Sequence, residues 1–186
     1  MAIILASASP RRQELLRNAG IQFSVRPAEI KEIPLPGEQP SAFVERMARE
    51  KARAIGAQSD CDFVLAADTV VVVDGDILNK PESHRDAKRM LRLLSGRAHQ
   101  VITSVCVLGR HFEDVRNECT VVYFAPLTES EINGYIRTRE PMDKAGGYGI
   151  QGLASRWIPR IEGDYFNVVG LPMALVWKML REHGAL

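Results

Sequence analysis

Only three cysteines, Cys61, Cys106 and Cys119, occur in the 186 residues, and none share a C-x-x-C spacing. An odd, scattered set argues against a disulfide framework or a zinc site and leads us to expect buried thiols in a reducing compartment. The four histidines (His84, His99, His111, His183) lack a metal-ligand spacing such as H-E-x-x-H. There is no G-x-S-x-G elbow, which leaves serine-hydrolase chemistry with little support, and there is neither a Walker A loop nor a Rossmann G-x-G-x-x-G fingerprint. Neither sign of charge dominates: 24 Lys and Arg face 23 Asp and Glu, for a net charge of +1. That balance argues against a general nucleic-acid or anionic-membrane surface, so any phosphate binding must be local. No apolar stretch reaches membrane-spanning length. The start shows no signal-peptide pattern, because charge arrives at Arg11 after a short apolar run. The expectation is a cytoplasmic protein with no nucleic-acid or membrane partner.

What is present is a chain that is 46% hydrophobic, enough for a sizeable core without covalent staples. Its length suits one large domain or two small ones, and we read residues 1–186 as a single domain. Apolar runs predict strands over 2–6, 63–73, 99–108 and 118–125, with weaker candidates at 21–26 and 157–161. Helices are predicted over 10–19, from Ser41 to about Ala54, from Ser83 to Leu94, from the capping box Thr128-x-x-Glu131 to about Thr138, and from Pro172 to His183. Asp74-Gly75 marks a hairpin. Residues 27–40 hold four of the ten prolines and read as a loop. Residues 141–153 hold four glycines and read as a functional loop, and 163–172 as a strand-to-helix junction. Helices and strands mix without a strict βαβ rhythm, so the fold class is α/β with a long mixed sheet.

Residues 5–12, Leu-Ala-Ser-Ala-Ser-Pro-Arg-Arg, are the most informative segment. Ser9 can cap a helix and Pro10 suits its first position, where no N–H is needed. Arg11 and Arg12 then fall in the first turn, where the macrodipole disfavours cations. Two guanidinium groups, two hydroxyls (Ser7, Ser9) and free backbone N–H groups there could cradle phosphates, or the arginines could simply point into water. Asp68, inside Leu-Ala-Ala-Asp-Thr-Val-Val-Val, is a carboxylate in an apolar strand, costly unless a cation meets it. Thr69 beside it could bond a ligand or be an ordinary strand residue. Lys80, in a hairpin-return loop, and Lys51, in a helix with Arg46, Arg49 and Arg53, read on their own as solvated. In the loop from Asp143 to Gly152, the glycines could let backbone approach a ligand or make a tight turn. Tyr148 offers a stacking face and Gln151 an amide able to read a base edge.

Together these residues resemble a family. Ser7-Ala-Ser-Pro-Arg-Arg12, Glu14-Leu-Leu16, Glu50-Lys-Ala52, Ala67-Asp-Thr-Val70, Lys80-Pro81, Leu94-Ser-Gly-Arg-Ala-His99, Asp143-Lys-Ala-Gly146 and Val168-Val-Gly-Leu-Pro172 are similar, in order, to the Maf family of nucleoside triphosphate pyrophosphatases. The resemblance implies a fold like that of the inosine triphosphate pyrophosphatases, an elongated mixed sheet with flanking helices and a cleft between two lobes, in a homodimer. It implies hydrolysis between the α and β phosphates, with Mg²⁺ or Mn²⁺ as cofactor. The form Asp-Lys-Ala-Gly-x-Tyr-Gly-Ile-Gln-Gly at 143–152 resembles the dTTP/UTP subgroup. Position by position, Asp68 matches the proton acceptor, and Arg11, Thr69 and Gln151 match specificity positions. Ser7, Arg12, Glu32, Lys51 and Lys80 match substrate- or metal-contacting positions, with Asp68 and Glu32 as the metal pair. Two other readings stay open at this point: a nucleotide-binding regulator of septum formation without relevant turnover, and a 7-methyl-GTP pyrophosphatase.

Overall fold

β1 (Ile3–Leu5), wholly buried, lies between two parallel partners, β2 (Ser24–Val25) and β3 (Phe63–Val73). The computed structural model, which describes residues 2–58 and 61–186, places these strands in a seven-stranded mixed sheet. The order is β2-β1-β3-β5-β6-β7, with β4 (Asp76–Leu78) antiparallel on the far end of β3. β5 spans Ala98–Gly109, β6 Glu113–Tyr123 and β7 Arg160–Glu162, with β6 and β7 antiparallel. The turn joining β3 to β4 has positive φ at both central residues, Asp74 (53°) and Gly75 (87°), the geometry that suits a two-residue hairpin. The α/β class is as the sequence predicted.

The chain divides into two compact units. One comprises Met1–Asp68, Thr103–Glu118 and Gly170–Leu186; the other comprises Thr69–Ile102 and Cys119–Val169. In the first, α1 (Pro10–Asn18) starts as predicted, with Ser9 as N-cap and Pro10 at the first position. α2 (Pro40–Gly56) buries Phe43, Val44, Met47, Ala48, Lys51, Ala52 and Ile55. The spacing is that of one helical face, packed with Ile4, Ala6, Val64, Ala66 and Cys106. Each large apolar side chain so buried stabilises by about 1.5–3 kcal/mol. α2 begins at Pro40 and has Gln39 at its cap, not Ser41, because proline needs no hydrogen-bond acceptor in the first turn. The last helix, α6 (Met173–Glu182), also belongs to this unit.

In the second unit, α3 (His84–Leu94) and α4 (Glu129–Arg137) supply Leu91, Leu94, Ile132 and Tyr135 to a core with Phe124, Tyr148 and Trp157. Thr128 and Glu131 cap α4 reciprocally, as the sequence indicated. α5 (Tyr165–Val169) is a short helix that our reading of 163–172 did not anticipate. Five residues are too few to show helical periodicity.

His99 lies within this core, 3% exposed, with Nε2 2.7 Å from Tyr148 Oη. Burial pushes its imidazole down from 6.5 to about 4, so the ring is neutral at pH 7. The unfolded chain gains that proton near pH 6.5 while the folded chain resists it to about pH 4. Stability from this group is therefore present above pH 6.5 and lost as pH falls through that window. Urea titrations at pH 7 and pH 4.5 should show the loss shrinking by about 2 kcal/mol in His99→Phe relative to the parent. An unchanged difference between the two pH values would contradict a buried, neutral His99.

Candidate active site

Asp68 is 6% exposed on β3, and its Oδ1 accepts a hydrogen bond from Lys51 Nζ at 2.6 Å. The same ammonium lies 2.6 Å from Glu32 Oε1, so two carboxylates converge on one cation. The apolar strand thus meets the cationic partner that its buried carboxylate required. Lys51 is not solvated, as its basic helix suggested, but 7% exposed on the apolar face of α2. The signal was there in the sequence: Lys51 follows Val44 and Met47 at seven and four residues, on the helical stripe whose other members are apolar. Burial pushes the Asp68 carboxyl above its ordinary value of 3.8, although Lys51 and Arg12 pull the other way.

Arg12 sits beside this pair. Its Nε donates to Gly170 O at 2.7 Å, and its Nη1 donates to Ala67 O at 2.9 Å and to Ser7 Oγ at 3.2 Å. Ser7 is itself buried, and its hydroxyl also accepts from Ser9 N. The half-buried guanidinium therefore ties the β1–α1 loop to the residue before Asp68 and to the segment before α6. Arg12 thus also contributes to stability: its loss would leave the Ala67 and Gly170 carbonyls short of a donor, at about 1–3 kcal/mol each where buried. Desolvation lowers the Arg12 pKa, with Asp68 and Glu32 opposing it. A guanidinium remains charged regardless. Arg11, at the second position of α1, is half-buried.

Ser7, Arg11, Arg12, Glu32, Lys51 and Asp68 thus all belong to the first unit. Thr69, Lys80 and Gln151 belong to the second. Thr69 is half-buried on β3, whereas Lys80 and Gln151 are exposed. Within the second unit, Asn79 O accepts from Gly146 N at 3.1 Å, which joins the loop carrying Lys80 to the glycine-rich segment. That segment forms two 3-10 turns, Glu140–Asp143 and Ala145–Gly147, followed by a turn in which Gly152 N donates to Gly149 O at 3.1 Å.

One expectation for this segment needs correction. Tyr148 is not a stacking face for a ligand: it is 5% exposed and packs edge-on against His99 and Phe124. The glycines let the segment pack closely on its neighbours, as the tight-turn reading allows. A Cβ on Gly146 (φ 68°) would fall 2.8 Å from Val71 Cγ2, and one on Gly152 would fall 2.1 Å from Glu140 Oε1.

A divalent cation takes carboxylate oxygens together with substrate phosphates, and the Glu32–Asp68 pair offers two such donors. No cluster of three or more His, Cys, Asp or Glu suited to a metal occurs among the described residues, so a cation here would rely on phosphate oxygens for further ligands. Chemically, the first unit offers a buried carboxylate of raised pKa held by an ammonium, next to a guanidinium. No helix among the described residues is long and apolar enough to cross a membrane.

Comparison with known proteins shows the family to which the chain belongs. The family model described as "Maf-like protein" matches residues 2–183. A protein of Koribacter versatilis named dTTP/UTP pyrophosphatase is 54% identical, over 100% of this chain and 96% of its own length. A Symbiobacterium thermophilum protein of the same name is 51% identical over 98% and 94%. A Geobacter sulfurreducens protein, also so named, is 49% identical over 99% and 97%. The solved structure of the Staphylococcus aureus Ham1 protein superposes with a TM-score of 0.52 at 15% identity, covering 85% of this chain and 80% of that one, which supports a shared fold alone. With its motifs in order from Ser7 to Pro172 and full-length relatives at about half identity, this chain belongs to the Maf-like protein family.

Proposed function

We propose that this protein is a nucleoside triphosphate pyrophosphatase that hydrolyses dTTP and UTP to the monophosphate and pyrophosphate, with residues 1–186 acting as one functional domain. The observation that carries the reading is the buried Lys51 ammonium bonded to both Asp68 and Glu32. A protein that merely holds a nucleotide has no use for a desolvated carboxylate among cations, whereas a hydrolase needs a base whose pKa is raised toward neutrality. The full-length relatives named dTTP/UTP pyrophosphatase support the choice of substrate.

In this reading Lys51 fixes Asp68 through Oδ1, and Oδ2 either accepts the proton of the attacking water or binds the cation that activates it. Arg11, Arg12, Lys51 and Lys80 neutralise and orient the triphosphate, and Ser7 keeps the Arg12 fork in place. Glu32 and Asp68 would hold Mg²⁺ or Mn²⁺, which supplies charge neutralisation on the phosphates when bound. Thr69 and Gln151 face the nucleobase, where the Gln151 amide offers both the donor and the acceptor that a uracil or thymine edge requires. A homodimer in the cytoplasm completes the proposal and rests on the family resemblance.

A panel of nucleotides at equal concentration, assayed for pyrophosphate, tests the specificity. dTTP and UTP should be hydrolysed well ahead of ATP and GTP, because a site built around one hydrogen-bonding edge penalises ligands that leave its groups unpaired. Equal turnover of all four, or a preference for 7-methyl-GTP, would overturn the substrate assignment.

A further inference from the structure

Gln151 sits at the tip of the Gly149–Gly152 turn, which is held by Tyr135 at its Gly149 end and by Glu140 at Leu153, just past its other end. Gly149 N donates to Tyr135 Oη at 3.3 Å. Leu153 N donates to both carboxylate oxygens of Glu140, at 3.1 and 3.2 Å. Tyr135 Oη in turn donates to Glu140 Oε1 at 2.9 Å, which closes the circuit. We propose that Tyr135 and Glu140 are positioning residues that clamp the turn and so set nucleobase selectivity through Gln151.

The clamp is itself tightly held. Tyr135 is fully buried on α4, with its ring edge-on to Trp157 at 5.3 Å. Glu140 follows Arg139, a non-glycine residue with φ 62°, and its own N–H donates to Thr138 Oγ1 at 3.2 Å. A left-handed conformation at an arginine costs of order 1–3 kcal/mol and persists only where the surroundings enforce it. Lys144 Nζ donates to the Glu140 carbonyl at 2.7 Å. A Cβ on Gly152 would fall 2.1 Å from Glu140 Oε1, so the carboxylate held here by Tyr135 and Leu153 lies where a larger residue would displace it. Ile150, the other central residue of the turn, is buried, while Gln151 is exposed. Fixing both ends of a four-residue turn leaves the exposed amide with side-chain freedom alone, and less entropy is lost when it engages a base.

The inference rests on the reading above, in which Gln151 reads the base, and the test separates the two. Tyr135→Phe, Glu140→Ala, Glu140→Gln and Gln151→Ala are compared with the parent for KM and kcat on dTTP and ATP. Amide hydrogen exchange at Gly149 and Leu153 is followed in the same proteins. We expect faster exchange at both amides in Tyr135→Phe and Glu140→Ala. We also expect KM for dTTP to rise by about 10- to 100-fold, the scale of misplacement by an ångström, with kcat moving far less. The preference for dTTP over ATP should narrow as it does in Gln151→Ala, and Glu140→Gln, which keeps an acceptor, should recover part of the loss. Unchanged exchange would overturn the clamp. Faster exchange with unchanged KM and preference, while Gln151→Ala still shifts preference, would overturn the inference and leave the proposed function standing. If Gln151→Ala has no effect in an enzyme that prefers dTTP, the base is read elsewhere and the inference falls. If no nucleotide is turned over by the parent, the proposed function itself has failed.

Discussion

Asp68→Asn should reduce pyrophosphate release from dTTP by about 10²–10⁴-fold, the usual loss when a positioned base is removed, while the free protein melts at the same temperature or higher. The two halves of that expectation come from one fact. Asp68 is buried, and its pKa is raised because desolvation outweighs the help of Lys51 and Arg12. A carboxyl whose folded pKa lies above its unfolded one binds its proton more tightly in the folded state, so the contribution of the ionised form to stability falls as pH rises through that window. Asparagine resembles the protonated form and escapes the penalty. Lys51 keeps Glu32 at 2.6 Å and is not stranded. The same raised pKa places the acid limb of the pH–rate profile above that of an ordinary aspartate, and the limb should vanish in the variant. A variant that melts lower yet turns over dTTP normally would make Asp68 a structural residue.

Lys51→Met carries the largest expected effect on stability. Methionine fits the apolar stripe of α2, but it leaves Asp68 buried with its ammonium gone. Breaking a buried pair in this way costs about 3–5 kcal/mol, or about 6–20 °C in melting temperature for a chain of this size. Without Lys51 the Asp68 pKa climbs further, so the destabilisation should deepen from pH 5 to pH 8. The double variant Lys51→Met, Asp68→Leu removes both charges and should recover most of the stability with no recovery of activity. Differential scanning calorimetry across that pH range reads each effect. A single variant that melts within 2 °C of the parent, with no pH dependence beyond the parent's, would show that the pair carries little.

The sequence was read most easily where local chemistry is self-contained. The Ser9-Pro10 helix start, the Asp74-Gly75 hairpin and the Thr128–Glu131 box each follow from two to four adjacent residues, and all three stand where predicted. Asp68 was legible because a carboxylate in an apolar strand demands a partner, although the strand could not say which cation answers it. Lys51 is masked in the sequence by Arg46, Arg49 and Arg53, whose charge hides its place on the apolar stripe of α2. Glu32, from the proline-bearing loop, was reached only through the family resemblance, because no local rule brings residue 32 to residue 51. Tyr148 was misjudged because an aromatic in a glycine-rich loop looks exposed until the partners that bury it, His99 and Phe124, are known. Tyr135 and Glu140 went unnoticed for the same reason: their meaning lies in hydrogen bonds to backbone more than ten residues away.

The central claim is that the bond between the α and β phosphates is the one that breaks. Phosphorus NMR of dTTP incubated with the protein and Mg²⁺ decides it directly. The account predicts that dTMP and pyrophosphate appear together in equal amounts and that both form about 10²–10⁴-fold more slowly with Asp68→Asn. Release of dTDP with orthophosphate, or dTTP left intact although bound, would contradict it.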